Sequence, residues 1–146
     1  LRALAPVADA IVRLDLGGTA VTDSGLASLR AMTNLQRLHL DQTAVTSVGL
    51  EHLAGLTRLE TLNLVGTSIG DEALPSLGRL KGLRTLYTWN TRLSDPGLAS
   101  LVRQRAESRQ LRHLRAELAE AEARLRAETL IIHRGAESVA PPSNPP

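Results

Sequence analysis

The sequence contains no cysteine and no phenylalanine, and its aromatic residues are limited to one tyrosine and one tryptophan. The absence of cysteine excludes a disulfide framework, cysteine-ligated zinc, iron–sulfur clusters, covalently attached haem and thiol catalysis. Because aromatic rings are so scarce, the core has to be built from Leu, Ile, Val and Ala. The same scarcity removes the aromatic platforms on which single-stranded nucleic acids stack.

A long apolar run and a strong excess of one charge are also missing. No apolar stretch approaches the roughly 20 residues that a membrane-spanning helix needs. The net charge is +2, and residues 1–98 carry nine basic and nine acidic side chains, so the excess lies in residues 99–146. Proteins that bind nucleic acids usually have a strongly basic surface, whereas residues 1–98 are neutral and residues 99–146 only weakly basic. We therefore predict no nucleic-acid partner and no membrane partner.

What the chain does have is an internal repeat of 24 residues. Full repeats begin at residues 11, 35, 59 and 83, and a partial repeat occupies residues 1–10. Each unit follows the pattern L-x-x-L-x-L-x-x-T-x-V-x-D-x-G-L-x-x-L-x-x-L. Its first half alternates apolar and polar residues, which predicts a strand, and its second half spaces leucines by three, which predicts a short helix.

Two columns of the repeat mark the junction between strand and helix. One holds residues that favour the N-cap of a helix, and we expect them to cap their own helices: Asp23, Ser47, Asp71 and Asp95. The other holds small residues, which predicts that each helix begins close against the neighbouring turn: Gly25, Gly49, Ala73 and Gly97.

This pattern resembles the leucine-rich repeat family over residues 1 to about 103, with threonine where that family usually has asparagine. The stretch TAVTDSGLASL is similar to a 24-residue bacterial subtype in planctomycete and verrucomicrobial multidomain proteins, some of which carry a cytochrome-c-like domain. The resemblance implies an α/β solenoid with a parallel sheet on its concave side and short helices on its convex side. It also implies that one threonine column bonds backbone groups of the next turn: Thr19, Thr43, Thr67 and Thr91.

The periodicity divides the chain into three parts. Residues 1–103 form the solenoid, residues 104–134 an amphipathic helix or short coiled coil, and residues 135–146 a disordered Pro-rich tail. The chain has no initiator methionine, and its partial first repeat lacks a polar cap. We expect a longer solenoid to precede it, and the alternative is a terminal helix that acts as its own cap.

The outward positions of the predicted strands supply the candidate binding residues. We expect a protein partner to contact a set of polar and aromatic side chains there: Arg13, Asp15, Arg37, His39, Asp41, Tyr87 and Trp89. The two aromatic residues fall together on the last strand. They either contact a partner or pack on the following helix and close the end of the solenoid, and the sequence leaves both open.

One polar group within this set has residue types that bind metals. His39 and Asp41 lie two apart on one strand, and Asp15 lies one repeat earlier. A metal site or a proton relay is one interpretation, but we favour a solvated polar face because no third and fourth ligand converge. We predict no metal, no cofactor and no catalytic residue, since no catalytic motif occurs on a suitable framework.

The segment after residue 101 is rich in Ala, Glu, Arg and Leu and has a heptad seam. Residues 103–115 carry five arginines and one glutamate, and residues 117–128 carry four glutamates and two arginines. An antiparallel copy would complement this gradient. We predict self-association through the seam, with a monomeric helix laid on the solenoid end as the alternative: Leu111, Leu114, Leu118, Ala121 and Leu125.

These features predict a non-catalytic protein–protein interaction module that binds through its concave strand face. One alternative is a structural spacer that assembles through its C-terminal helix. Another, implied only by the family resemblance, is the repeat region of a larger cytochrome-c-like electron-transfer protein.

Overall fold

Four short strands form the centre of the fold: β1 (Arg13–Asp15), β2 (Arg37–His39), β3 (Thr61–Asn63) and β4 (Thr85–Tyr87). The computed structural model describes the backbone of residues 2–136 and the side chains of residue 4 and residues 6–126. The strands pair in parallel in chain order, and each residue lies opposite the residue one repeat later, as in Leu14 opposite Leu38. The 24-residue spacing of the sequence is therefore the register of the sheet.

Helical segments alternate with the strands. They are the 3-10 helix Arg2–Ala10, α1 (Asp23–Leu26) with the 3-10 helix Ala27–Ala31, the 3-10 helix Gly49–Leu53, the 3-10 helix Asp71–Ala73 with α2 (Leu74–Arg79), and α3 (Asp95–Ala136). This arrangement confirms the predicted solenoid of strands and short helices followed by a long helix. No helix within the described part of the chain is both long and apolar enough to cross a bilayer.

The helix α3 begins nine residues before the predicted start at Gln104. The helical half of the fourth repeat continues without interruption into the C-terminal segment, because no glycine or proline follows Gly97 until Gly135. Contacts divide the chain into the units Leu1–Arg105 and Ala106–Pro146. Of the predicted Pro-rich tail, residues 137–146 lie outside the described residues.

The core lies between the strands and the short helices and consists of stacked aliphatic side chains. The inward leucines of the two middle strands, Leu38 and Leu62, are fully buried, and so are their neighbours Leu40 and Leu64. Among the described residues, Met32 is the one apolar core side chain other than Leu, Ile, Val or Ala, and it is 1% exposed. The described core is therefore filled without aromatic rings.

The threonine column does not form the predicted bonds to the next turn. Each hydroxyl instead donates to a carbonyl three residues earlier in its own repeat, as Thr43 does to Leu40 at 2.7 Å and Thr67 to Leu64 at 2.6 Å. A threonine side chain is one atom shorter than asparagine's, so its hydroxyl stays within its own turn. The column closes each turn locally rather than joining repeats.

The predicted capping column joins the repeats instead. Asp23 is the first residue of α1, whose N-cap is Thr22, and its carboxylate accepts hydrogen bonds from the amide and hydroxyl of Thr46 in the next repeat, at 2.8 and 2.6 Å. Asp71 accepts the same pair of bonds from Ser94, at 2.8 and 2.5 Å. The carboxylates therefore satisfy backbone and hydroxyl groups across the repeat boundary.

The small-residue column is explained by these carboxylates. A Cβ atom on Gly97 would lie 2.6 Å from Oδ1 of Asp71, and Gly49 meets Asp23 in the same way. Ala73 is the exception in this column. In the repeat before it, the position of Asp23 and Asp71 is held by Ser47, whose side chain is shorter than that of aspartate. The Ser47 hydroxyl accepts a bond from the Gly70 amide at 3.0 Å and donates to Glu72 at 2.9 Å.

The last repeat is closed by an arginine that the sequence pattern did not single out. The guanidinium of Arg105 donates to the carbonyl oxygens of Leu77, Leu80 and Leu83, the first two at 3.4 and 3.1 Å. These carbonyls lie at and beyond the end of α2, and those of Leu77 and Leu80 also accept backbone bonds from the amides of Leu80 and Leu83, at 3.3 and 3.0 Å. Arg105 therefore ties α3 to the segment between α2 and β4 by adding a charged donor to three carbonyls.

The Asp71 contacts predict an acid sensitivity. Hydrogen bonds from the hydroxyl and amide of Ser94 hold the pKa of Asp71 below its ordinary value. A carboxyl group with a lowered folded-state pKa stabilises the fold above its unfolded pKa and loses that contribution as the pH falls through the folded value. We expect Asp71→Asn to lower the unfolding midpoint at neutral pH and to flatten its decline below about pH 4, measured by circular dichroism. Asp95→Asn, at the same position of the last repeat, is the control, and an unchanged acid dependence in Asp71→Asn would contradict this role.

The Arg105 contacts predict a loss of stability. Arg105→Ala leaves three carbonyl oxygens without their charged donor, and we expect the free energy of unfolding to fall by about 2 kcal/mol in urea denaturation. Arg109→Ala, one turn further along α3 and exposed, should change it by less than about 0.5 kcal/mol. Equal effects of the two substitutions would argue against the closing role of Arg105.

Candidate binding surface

The predicted contact residues lie on one side of the sheet. Within each strand, only the middle residue faces the core, so the flanking residues project outward. We call this set the strand face, and it comprises Arg13 and Asp15 of β1, Arg37 and His39 of β2, Asp41 after β2, Tyr87 of β4 and Trp89 after β4. All of them are exposed or half-buried.

Three polar residues of the strand face come together. Asp15 and His39 are opposite each other in the pairing of β1 with β2, and Nδ1 of His39 lies 4.0 Å from Oδ1 of Asp41. One ligand-type atom from each of the three lies within 4.8 Å of the others. The structure thus brings three possible ligands to this point, one imidazole and two carboxylates, although the sequence argument did not expect a third ligand to converge.

The two carboxylates of this group already have partners in the chain. Asp15 accepts a hydrogen bond from the amide of Gly17 at 3.0 Å, and Asp41 accepts one from the side chain of Asn63 at 2.9 Å. The Asn63 amide oxygen in turn accepts a bond from the Val65 amide at 3.1 Å. These bonds fix the orientation of the carboxylates, which is the behaviour of a structured polar face.

Sequence reasoning missed two supporting residues at this place. The repeat pattern identifies Asn63 only as an outward residue, although it orients Asp41 across the repeat boundary. The pattern assigns Gly17 to the repeat turn, yet a Cβ atom there would lie 2.8 Å from Oδ1 of Asp41. One feature of the sequence could have indicated this contact. Residue 17 is a glycine, whereas the same position of the next three repeats has a side chain, in Asp41, Val65 and Trp89.

The aromatic residues occupy the other end of the strand face. Trp89 is 79% exposed and Tyr87 is 50% exposed. Their backbone is held by the sheet, because the Tyr87 carbonyl accepts a bond from the Leu64 amide at 2.9 Å and the Trp89 carbonyl accepts one from the Gly66 amide at 3.0 Å. Two large rings are therefore displayed on an ordered backbone.

An apolar hollow lies at the last repeat, within the unit Leu1–Arg105. Its volume is about 310 Å³, and its lining consists of residues from β4, the start of α3 and the segments beside them: Leu83, Arg84, Leu86, Thr88, Leu98, Leu101, Val102 and Arg105. Neither aromatic residue belongs to this lining. In this unit the first turns of α3 therefore border the hollow beside β4, and neither ring contributes to it.

The predicted seam of the C-terminal helix lies on α3, and its leucines are exposed to between 51% and 64%: Leu111, Leu114, Leu118 and Leu125. Ala121 is exposed as well. His113 forms an i,i+4 contact of 3.2 Å with Glu117, which lies beside the seam. The helix therefore presents a row of apolar side chains to solvent.

Comparison with known proteins agrees with this architecture. A family model described as Leucine Rich repeat matches residues 11–29. The chain is similar in structure to an internalin from Listeria monocytogenes, with 27% sequence identity, a TM-score of 0.51, and coverage of 62% of this chain and 25% of the internalin chain. It thus spans about a quarter of that internalin's length. Among curated proteins, none matches the chain. The family match and the structural likeness together support a leucine-rich repeat family for this protein.

Proposed function

We propose that the chain is a non-catalytic protein-binding module whose partner contacts the strand face. The observation that carries this proposal is the exposure of Trp89 and Tyr87 beside polar and charged residues on a rigid sheet. Tryptophan, tyrosine and arginine are the residue types that contribute most to protein–protein affinity. The leucine-rich repeat architecture supports the same class of function.

The order of the strand-face backbone favours affinity. Because the ladder of backbone hydrogen bonds fixes both aromatic residues, a partner does not have to order this segment when it binds. The polar group around Asp41 is held in the same way by Asn63. A partner with apolar side chains facing Trp89 and basic or hydrogen-bonding groups facing Asp15 and Asp41 would fit this surface.

We also propose that the repeats are of the 24-residue bacterial subtype. The sheet supports this, because the register of its strands keeps this spacing through all three strand pairs. The structurally similar internalin also comes from a bacterium.

A second candidate function is assembly, in which α3 joins copies of the chain. The observation that favours it is the row of exposed leucines on a helix that is otherwise rich in charge. A helix surface of this kind is typical of a helix that packs against another helix.

The strand-face proposal can be tested with a displayed library of random peptides selected on the wild-type chain. We expect Trp89→Ala to weaken the selected peptides by about 30-fold, because an interfacial tryptophan contributes about 2 kcal/mol. Val48→Ala, which shortens another exposed apolar side chain, should leave their affinity unchanged. Isothermal titration calorimetry measures the affinity.

Urea denaturation of the same variants separates binding from capping. Trp89→Ala should change the free energy of unfolding by less than about 0.5 kcal/mol, since most of the ring is in solvent. Equal losses of binding and stability would support a capping role for Trp89. Peptides that bind Trp89→Ala as well as the wild type would place the binding site elsewhere.

A further inference from the structure

The exposed leucines of α3 follow a heptad, and the residues beside them determine how two such helices could pair. With Leu111, Leu118 and Leu125 at position a, Leu114 and Ala121 fall at position d. Positions e and g flank this seam and set the orientation of coiled-coil partners. Position e is occupied by Arg115 and Glu122, and position g by Glu117 and Arg124: all four are exposed on α3.

A parallel pair of these helices would be repelled. In a parallel coiled coil, a residue at g faces the residue at e that lies five positions later on the other helix. Glu117 would then face Glu122 of the second copy, and this like-charge contact would occur twice in a symmetric dimer. Like charges at this distance are destabilising.

An antiparallel pair is attracted in one register. There, e faces e and g faces g, and a residues pack against d residues. In this register, Leu118 packs against Ala121 of the second copy and Leu114 against Leu125 of the second copy. Arg115 then faces Glu122 of the second copy, and Glu117 faces Arg124 of the second copy. The symmetry of the dimer repeats each contact, so four oppositely charged pairs flank four apolar layers. The register shifted by one heptad instead places Arg115 and Glu117 opposite themselves.

We propose that a second copy of this chain covers the Leu114–Leu125 part of the exposed seam of α3 in this antiparallel register. Charge complementarity identifies the second copy as the occupant. Residues 103–115 are mainly basic and residues 117–128 mainly acidic, so opposite charges of two copies lie together only when one helix runs in the reverse direction. The apolar seam is short, so the dimer is weak and forms at high protein concentration. The proposal rests on the assembly function, and its failure would leave binding by the strand face untouched, since Trp89 and α3 are tested by different variants.

The first test is the molar mass of the full chain by sedimentation equilibrium at rising concentration. We expect a reversible monomer–dimer equilibrium that Leu118→Asp abolishes and Ala116→Asp, at the outer position f, leaves intact. Both residues are exposed on α3, so neither substitution disturbs the solenoid core. A chain that stays monomeric throughout, or a dimer that Leu118→Asp does not weaken, would overturn the proposal.

The second test discriminates orientation. Glu122→Arg should weaken the antiparallel dimer about tenfold, because it places an arginine of one copy opposite Arg115 of the other on both sides. The double variant Arg115→Glu/Glu122→Arg should restore the wild-type affinity by reversing the pair. In a parallel dimer Glu122→Arg would instead strengthen association, since the new arginine would face Glu117, and that result would overturn the antiparallel register.

Discussion

Each repeat of this protein depends on its neighbours to cover the inward leucines of its strand. The middle leucines Leu38 and Leu62 are fully buried, whereas Leu14 and Leu86, at the two ends of the sheet, are only partly buried. A single repeat cannot bury its own apolar face, so stacking creates the core. The constant register of the strands and the uniform use of aliphatic side chains both follow from this requirement.

The same requirement explains the polar contacts between repeats. Asp23 joins the first full repeat to the second and Asp71 the third to the fourth, and the residue that each carboxylate approaches in the next repeat is glycine. Where serine replaces the aspartate, alanine is tolerated. Beside the last repeat, Arg105 on α3 donates to three carbonyls at and after the end of α2. Polar side chains therefore reinforce the stacking that leucine drives.

A rigid stack of strands also gives the outer residues fixed positions. Side chains from separate repeats, such as Asp15 and His39, become neighbours because the register aligns them. The rings of Tyr87 and Trp89 lie on a backbone held by the sheet, and this order suits recognition of another protein. The chain thus builds an ordered surface from residues that are far apart in sequence.

The sequence by itself determined the repeat length, the strand register, the inward leucines and the outward position of Tyr87 and Trp89, because all of these follow from periodicity. Only the tertiary structure decided which polar side chains bond across repeats. The column of Asp23 was expected to cap its own helix and the column of Thr43 to reach the next turn, yet Asp23 bonds the next repeat and Thr43 closes its own turn. Periodicity places a side chain on a face, but its hydrogen-bond partner depends on distances of an ångström between neighbouring turns. For the same reason, the orienting role of Asn63, the close approach of Asp41 to Gly17 and the contacts of Arg105 with three carbonyls emerged only when the repeats were stacked.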